Sequence, residues 1–150
     1  MYTQLPARDG VAHGNIKRSN RWPNDSFYTN WESTQDSITW DVEVLEEGNY
    51  EVDLYYTASE IDTGSIIQLN LNETKISTTI SRFYDPPLRG MENDRYPRME
   101  SYVKDFRATQ MGTIHLKKGK GTLVLKATHI PGSRAIDFRL LQFKRVSELQ

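Results

Sequence analysis

The side chains best suited to binding a ligand are concentrated in one irregular stretch, residues 82–110. The stretch contains arginines, tyrosines, acids and three prolines, and its apolar residues do not recur at helical spacing. Aromatic rings stack on the C–H faces of sugars, and Asp, Asn and Arg hydrogen-bond to their hydroxyls. A loop this long in a compact domain usually has a function, so we expect it to bind a ligand or dock on a partner, or else to form an Ω-like flap over one end. The ligand-binding candidates are Trp31, Tyr84, Asp85, Arg89, Asp94, Arg95, Arg98, Tyr102 and Lys104.

A second irregular stretch, residues 20–30, carries Trp22, Phe27 and Tyr28 among turn residues. Rings in such a loop either plug the end of a hydrophobic core or form a platform on which a ligand stacks. Because the energetics of these rings are dominated by burial, plugging is the commoner use. We therefore expect these rings to plug the core.

The sequence contains no recognisable catalytic constellation. Cysteine is absent, which excludes disulfides, thiolate metal sites and a cysteine nucleophile. The histidines His13, His115 and His129 are too far apart in sequence to form a metal-ligand motif. No nucleophile elbow, zinc-protease motif or phosphate-binding loop is present. The chain is predicted not to be an enzyme by itself and to need no organic cofactor.

Asp137 is the one candidate metal ligand. It is an isolated acid within the apolar and basic segment Ala135–Phe138. It can form an ion pair with Arg139 or Lys126, which is the commoner arrangement. Alternatively it can hold a structural Ca²⁺ together with loop carbonyls.

The distribution of charge narrows the range of partners. The net charge of −1 argues against general attraction to nucleic acid or to an anionic membrane. Residues 32–73 carry acids without Lys or Arg, whereas in residues 117–145 Asp137 is the only acid. Acidic and basic strands can neutralise each other across a sheet. A basic face for a sulfated or uronic-acid polymer is the alternative interpretation.

The elements that would position these residues are predicted to be strands. Apolar and polar residues alternate in Ser37–Leu45, Tyr50–Ala58 and Gly64–Asn72, and strand side chains change face at every residue. This pattern places Trp40, Leu54 and Leu69 in the core. Further candidate strands are a short edge strand in Val11–Ser19, then Lys75–Ile80, Tyr102–Phe106, Gly112–Leu116, Gly121–Thr128 and Ala135–Val146.

Turn residues between these segments predict tight hairpins. Gly and Asn accept the positive φ that such turns require, which favours hairpins at Glu47–Asn49, Glu73–Thr74 and Lys118–Gly121. In the last strand the apolar residues alternate up to Leu140, but Leu141 is apolar as well, so the pattern shifts to the other face. A β-bulge explains that shift.

Short strands with regular turns and no helical segment indicate an all-β, antiparallel β-sandwich, for which we prefer a jelly-roll order. Residues 1–10 are predicted to be a linker or lead-in, residues 11–146 a single domain, and residues 147–150 a frayed tail. The sequence shows no signal peptide and no transmembrane run.

Several segments together resemble a known family. The order W-x(8)-W-x-V-x-V-x(3)-G-x-Y-x-V from Trp31 to Val52, followed later by K-K-G-K-G-T-L-V-L and A-I-D-F, is similar to galactose-binding-like β-sandwiches, among them carbohydrate-binding modules. Leu5–Arg21, Phe27–Trp31, Asp36–Val52, Asp85–Gly90 and Ser101–Phe106 resemble the C-terminal module of bacterial sulfatases of the arylsulfatase or N-acetylgalactosamine-6-sulfatase type.

The resemblance implies a non-catalytic accessory domain of a sulfatase that binds a sulfated or acidic glycan. Trp31 would stack on a sugar, and Arg89, Arg95 and Arg98 would bind sulfate or carboxylate. The alternative is a structural domain that packs on the catalytic domain without binding glycan. The sulfatase C/S-x-P-x-R signature is absent, so the activity itself is not implied. The parent protein is expected to be periplasmic or secreted.

Overall fold

The computed structural model describes residues 2–18, 27–59, 62–81 and 107–146 of the 150-residue chain. In these ranges the chain forms two antiparallel sheets, and a 3-10 turn lies at Ala7–Asp9. Within the same ranges no helix has the length and apolarity needed to cross a membrane.

One sheet has six strands, and its order is β3-β4-β11-β6-β9, with β1 also paired to β11. Its strands are β1 (Tyr2–Pro6), β3 (Lys17–Arg18), β4 (Tyr28–Thr29), β6 (Gly48–Thr57), β9 (Arg107–Leu116) and β11 (Asp137–Val146).

The other sheet has five strands in the order β2-β5-β10-β7-β8. Its strands are β2 (Val11–His13), β5 (Ser37–Val44), β7 (Ile66–Leu71), β8 (Thr74–Thr79) and β10 (Gly119–His129). Apart from the pairs β3–β4 and β7–β8, consecutive strands lie in opposite sheets, as expected for a jelly-roll sandwich.

The core lies between the inner faces of the sheets and follows the predicted alternation. Trp40 is 3% exposed, and Leu54 and Leu69 are both fully buried. Trp40 of β5 and Phe138 of β11 meet edge to face across the two sheets, with ring centroids 5.7 Å apart. Contacts of this kind add to the burial energy that holds the layers together.

The predicted β-bulge is present in β11. The pairing of β11 with β6 shifts between Phe138 and Leu140, so Arg139 is the extra residue. The shift exchanges the inward positions, and Leu141 instead of Leu140 becomes buried. The bulge therefore reconciles the two apolar phases of this strand.

The predicted lead-in, residues 1–10, includes a strand of the sandwich. Residues 2–6 form β1 and pair with β11 in the register Tyr2↔Lys144 to Pro6↔Leu140. The predicted short edge strand is also present, because β2 is an outer strand of the five-stranded sheet. The predicted strand Tyr102–Phe106 and the tail 147–150 lie outside the described residues.

Two of the three predicted hairpins are wrong. The turn near Gly48 joins β5 to β6, and the turn near Gly119 joins β9 to β10, and in each case the two strands belong to different sheets. These turns are therefore arches between the layers. Only Asn72–Glu73 closes a hairpin, joining β7 to β8 with Leu71 opposite Thr74 and Asn72 at φ 56°.

The connections divide the sandwich into two unlike ends. Residues 45–47, 72–73 and 117–118 lie together at what we call the short-turn end. Residues 30–36, 58–65 and 130–136 connect strands at the other end, the long-connection end. The chain also leaves the described part after Ser81 and returns at Arg107 at this end, since Thr79 pairs with Ile66 and Arg107 with Tyr56.

Candidate functional site

The outer surface of the five-stranded sheet carries a continuous row of hydrogen-bonding side chains. The register places His13, Ser37, Lys126, Gln68 and Ser77 side by side across β2, β5, β10, β7 and β8. Their sequence neighbours Ile38, Leu125, Ala127, Ile67 and Leu69 are buried, so this row faces outward. The row spans about 19 Å, from four interstrand spacings of about 4.8 Å.

A second row lies next to the first, on the side of the short-turn end. It contains Val11, Thr39, Val124, Asn70 and Lys75, again one from each strand. The apolar members Val11 and Val124 separate polar groups, and Val11 is 58% exposed. We call these two rows the polar face.

The polar face contains hydroxyl, amide, imidazole and ammonium groups but no carboxylate. His13 Nε2 lies 2.8 Å from Thr39 Oγ1, which links the two rows at their edge. Within the strands of this sheet, acids appear only nearer the short-turn end, where Asp41 lies opposite Thr122 and Glu43 opposite Lys120. With Lys75 and Lys126 as its charged members, the polar face favours polyhydroxylated or anionic ligands.

The outer surface of the six-stranded sheet has the opposite character. Glu51 lies opposite Lys144 and Thr113, and Asp53 follows two residues later on the same face. Gln110 Nε2 donates to Glu51 Oε2 at 3.4 Å. Burial raises the pKa of the Asp53 carboxyl above its ordinary 3.8, and the Glu51 carboxylate raises it further. This acidic face disfavours anionic ligands.

At the long-connection end a buried carboxylate ties two connections together. Asp62 Oδ1 accepts hydrogen bonds from Ser133 N at 3.0 Å, Ser133 Oγ at 3.2 Å and Arg134 N at 3.0 Å. Asp62 Oδ2 accepts from Ser59 Oγ at 2.7 Å. The side chain of Asp62 is 6% exposed, so these bonds replace water around a buried charge. We call this arrangement the Asp62 latch.

The latch sets the protonation of Asp62. Burial alone raises the pKa of its carboxyl, but the hydrogen bonds from Ser59, Arg134 and Ser133 stabilise the charged form. The net pKa lies below the ordinary 3.8. Asp62 is therefore ionised at neutral pH and holds Ser133 and Arg134 against the 58–65 connection.

Trp31 has a different role from the predicted one. Its side chain is fully buried, and the Trp31 backbone carbonyl accepts a hydrogen bond from Ala135 N at 2.8 Å. A ring with no exposed surface cannot stack on a sugar, so the stacking role is corrected to a packing role. Phe27 and Tyr28 are also buried, which confirms plugging for these two rings, whereas Trp22 lies outside the described residues.

The other predicted ligand-binding residues lie outside the described ranges, and their roles stay predictions. They are Tyr84, Asp85, Arg89, Asp94, Arg95, Arg98, Tyr102 and Lys104. The structure shows only that the chain segment carrying them starts and ends at the long-connection end.

Asp137 is buried and accepts a 2.7 Å hydrogen bond from Thr29 Oγ1. Across the described residues no group of three or more His, Asp or Glu side chains could hold a metal ion. Asp36 is buried like Asp62 and Asp137, and its Oδ1 accepts a hydrogen bond from Asn15 N at 3.2 Å. Calcium at Asp137 stays a prediction.

Sequence reasoning missed the polar face. Its members alternate with core residues and look like the ordinary solvated side of a strand, as in Ser37, Gln68 and Lys126. The available signal was the lack of acids at outward positions of β7 and β10 and in β8. The alignment of these positions in two rows depends on strand order and register, which the sequence did not specify.

Comparisons with known proteins show a likeness in structure. A scan against protein-family models finds no match, and a search of curated proteins also finds none. Among solved structures, the C-terminal CBM6 of LamC, a marine laminarinase from Zobellia galactanivorans, matches with a TM-score of 0.66 at 8% identity. The match covers 97% of this chain and 100% of that one.

Two further solved structures also match this chain. The CBM6 module of Cellvibrio mixtus lichenase 5A, solved with cellotriose, matches with a TM-score of 0.64 at 10% identity, over 97% of this chain and 98% of that one. The Podospora anserina GH26-CBM35 β-(1,4)-mannanase matches with a TM-score of 0.63 at 12% identity, over 99% of this chain. Here the chain spans 28% of the length of the mannanase.

Such low identities establish the fold alone. The predicted fold class is confirmed, and the likeness to sulfatase modules stays a prediction. The chain has the jelly-roll, galactose-binding-like β-sandwich fold that is seen in carbohydrate-binding modules.

Proposed function

We propose that this chain is a non-catalytic accessory domain that binds carbohydrate on the polar face. The observation that carries the proposal is the pair of five-residue rows across β2, β5, β10, β7 and β8. Hydroxyl, amide and ammonium groups at regular spacing can hydrogen-bond to successive sugar hydroxyls, and the valines can contact sugar C–H groups. The fold shared with carbohydrate-binding modules supports the same role.

The glycan is inferred to be sulfated or otherwise acidic, and the parent protein to be a sulfatase. The first inference is supported by Lys75 and Lys126 on a face that has no carboxylate in its two rows. The second is supported by the sequence resemblance to sulfatase C-terminal modules. The coding sequence that precedes Met1 tests the parent: a C/S-x-P-x-R signature there supports a sulfatase, and a different catalytic domain rejects it.

The binding proposal is tested by calorimetry of the 150-residue chain with neutral, sulfated and uronate oligosaccharides. Lys126→Ala should weaken binding about tenfold, because an ammonium–anion hydrogen bond contributes about 1.5 kcal/mol or more. Lys144→Ala is the matched control, since it removes a lysine from the acidic face, and it should change affinity less than twofold.

Three outcomes distinguish the hypotheses. If Lys126→Ala weakens glycan binding and Lys144→Ala does not, the result supports binding on the polar face. Equal effects of both lysine variants place the glycan elsewhere. Absence of binding to every oligosaccharide, together with binding to an added sulfatase catalytic domain, replaces glycan recognition with the purely structural docking role.

A further inference from the structure

Arg134 is an exposed residue whose backbone is anchored on both sides at the long-connection end. Its N–H donates to Asp62 Oδ1 at 3.0 Å, and its carbonyl accepts from Ser65 Oγ at 3.4 Å. The preceding Ser133 N–H binds the same carboxylate oxygen, and the following Ala135 N–H binds Trp31 O at 2.8 Å. Three successive N–H groups are thus held by other connections.

The groups that hold Arg134 are themselves buried. Ser65 and Trp31 are fully buried, and Asp62 is 6% exposed. Ile80 N donates to Ser65 O at 2.8 Å, so the support extends to the end of β8. The side chain of Arg134 is exposed on this fixed backbone. Because this backbone is already fixed, Arg134 loses less backbone entropy when its guanidinium binds a ligand.

Arg134 lies beyond the ends of β7 and β10 that are nearer the first row of the polar face. Ser65 immediately precedes β7, whose first residue Ile66 pairs with His129 at the end of β10. Lys126 of the polar face lies three residues before His129 on the same strand. A substituent of a glycan bound along the row through Lys126 would therefore reach toward residues 130–134 if it points to the long-connection end.

We propose that Arg134 is a specificity-determining residue that binds an anionic substituent of the glycan, and that Asp62 is its positioning residue. The planar guanidinium forms paired hydrogen bonds to a sulfate or a carboxylate, so either a sulfate ester or a uronate can supply the group. This inference rests on the proposed carbohydrate-binding function and adds the residue that separates charged from neutral glycans.

The test compares Arg134→Ala with Arg145→Ala. Arg145 is an exposed arginine at the short-turn end, where its Nε lies 3.7 Å from Glu46 Oε2 and its Nη2 donates to Glu47 O at 3.0 Å. Calorimetry uses the 150-residue chain with a sulfated galactan oligosaccharide that carries no uronate, its neutral desulfated form and an oligogalacturonate.

Arg134→Ala should weaken binding of the anionic oligosaccharide at least about tenfold and leave the desulfated form within about twofold. Arg134→Lys should recover only part of the affinity, because an ammonium lacks the planar fork. Arg145→Ala should bind as the unmodified chain does. The oligosaccharide whose affinity responds, sulfated or uronate, identifies the source of the anionic group.

Asp62→Asn examines the positioning role. It keeps the Arg134 side chain but removes the charge that holds its backbone, so the ratio of anionic to desulfated affinity should fall at a temperature where near-ultraviolet circular dichroism shows the variant folded. If the melting temperature falls but the ratio of the two affinities is unchanged, Asp62 has a structural role only.

The results separate this inference from the function on which it rests. If the unmodified chain binds glycan and Arg134→Ala binds like Arg145→Ala, the role of Arg134 is rejected and the carbohydrate-binding function stands. If the unmodified chain binds none of the oligosaccharides, the function and this inference are both rejected.

Discussion

The two ends of the sandwich are built on different interactions. At the short-turn end the polar contacts are exposed: His115 Nε2 lies 3.0 Å from Glu47 Oε2, with side-chain exposures of 43% and 57%. At the long-connection end Asp36, Asp62 and Asp137 are all buried. Exposed pairs contribute little to stability, whereas removing the partners of a buried charge is costly.

The two ends therefore meet different structural requirements. Short arches need only reverse the chain between layers, so weak surface contacts are enough. Long connections must be fixed in space by buried polar groups if their exposed side chains are to bind a ligand with useful affinity. The Asp62 latch does this for residues 133–134.

The largest expected effect is that of Asp62→Ala. The variant leaves the buried N–H groups of Ser133 and Arg134 without their acceptor, so we expect a loss of about 3 kcal/mol in the free energy of unfolding. His115→Ala at the short-turn end is the control and should cost less than about 0.5 kcal/mol. Urea denaturation measures the free energy of unfolding of both variants. Equal losses would contradict the proposed difference between the two ends.

The pH dependence follows from the same residue. The folded-state pKa of Asp62 is lowered, so its contribution to stability is fully present above the ordinary value of 3.8 and is lost as the pH falls through the lower folded value. Asp62→Asn should therefore flatten the acid limb of the stability curve below about pH 4. If the acid limb is as steep in Asp62→Asn as in the unmodified chain, the lowered pKa assigned to Asp62 is contradicted.

The next largest effect is expected for Gly14→Ala. Gly14 has φ +87°, and an added Cβ would overlap Asp36 Oδ1, which is buried against this turn. Backbone strain and the clash together should cost about 2 kcal/mol or more. Gly119→Ala at the short-turn end has φ +138° but no atom within 4 Å of the added Cβ, so it isolates the backbone cost. Thermal denaturation should rank Gly14→Ala as the more damaging.

A smaller effect is expected for Thr29→Val. The change removes the 2.7 Å hydrogen bond to the buried Asp137 carboxylate and should cost about 1–2 kcal/mol. Thr122→Val is its counterpart on an exposed strand surface, where Thr122 Oγ1 lies 3.4 Å from Asp41 Oδ1. A loss below about 0.5 kcal/mol is expected there. Chemical denaturation that gives both variants the same midpoint would contradict the account.

Local patterns in the sequence were sufficient to predict the longer strands and their inward faces, whereas β1 and β4 were not predicted. Alternation correctly placed Trp40, Leu54 and Leu69 in the core, because burial of one strand face depends only on residues two apart. The bulge was also predictable, since a strand can bury both apolar phases of Asp137–Val146 only if an extra residue lies between them.

The connections between layers were not predictable in this way. Gly48 and Gly119 mark where the chain turns, but a turn residue does not specify whether the next strand joins the same sheet. That choice depends on which strands pair at long range. The polar face was not predicted for the same reason, because its rows form only when β5, β10 and β7 are neighbours in the sheet.

Trp31 shows why an aromatic residue outside the strands is a weak signal for a binding site. Trp31 looks from sequence like a stacking residue, yet it is fully buried and its carbonyl anchors Ala135. A large ring in a connection gains more from closing the end of a core than from exposure to solvent. Candidate residues at such positions therefore need burial information before a binding role is assigned.

Carbohydrate binding on the polar face is tested most directly by mapping backbone amide shifts of the chain during titration with a sulfated oligosaccharide. The account predicts that perturbed amides follow β2, β5, β10 and β7 around Ser37, Gln68 and Lys126 and continue into residues 130–134. Perturbations confined to the acidic face around Glu51 and Asp53, or to the short-turn end, would contradict it.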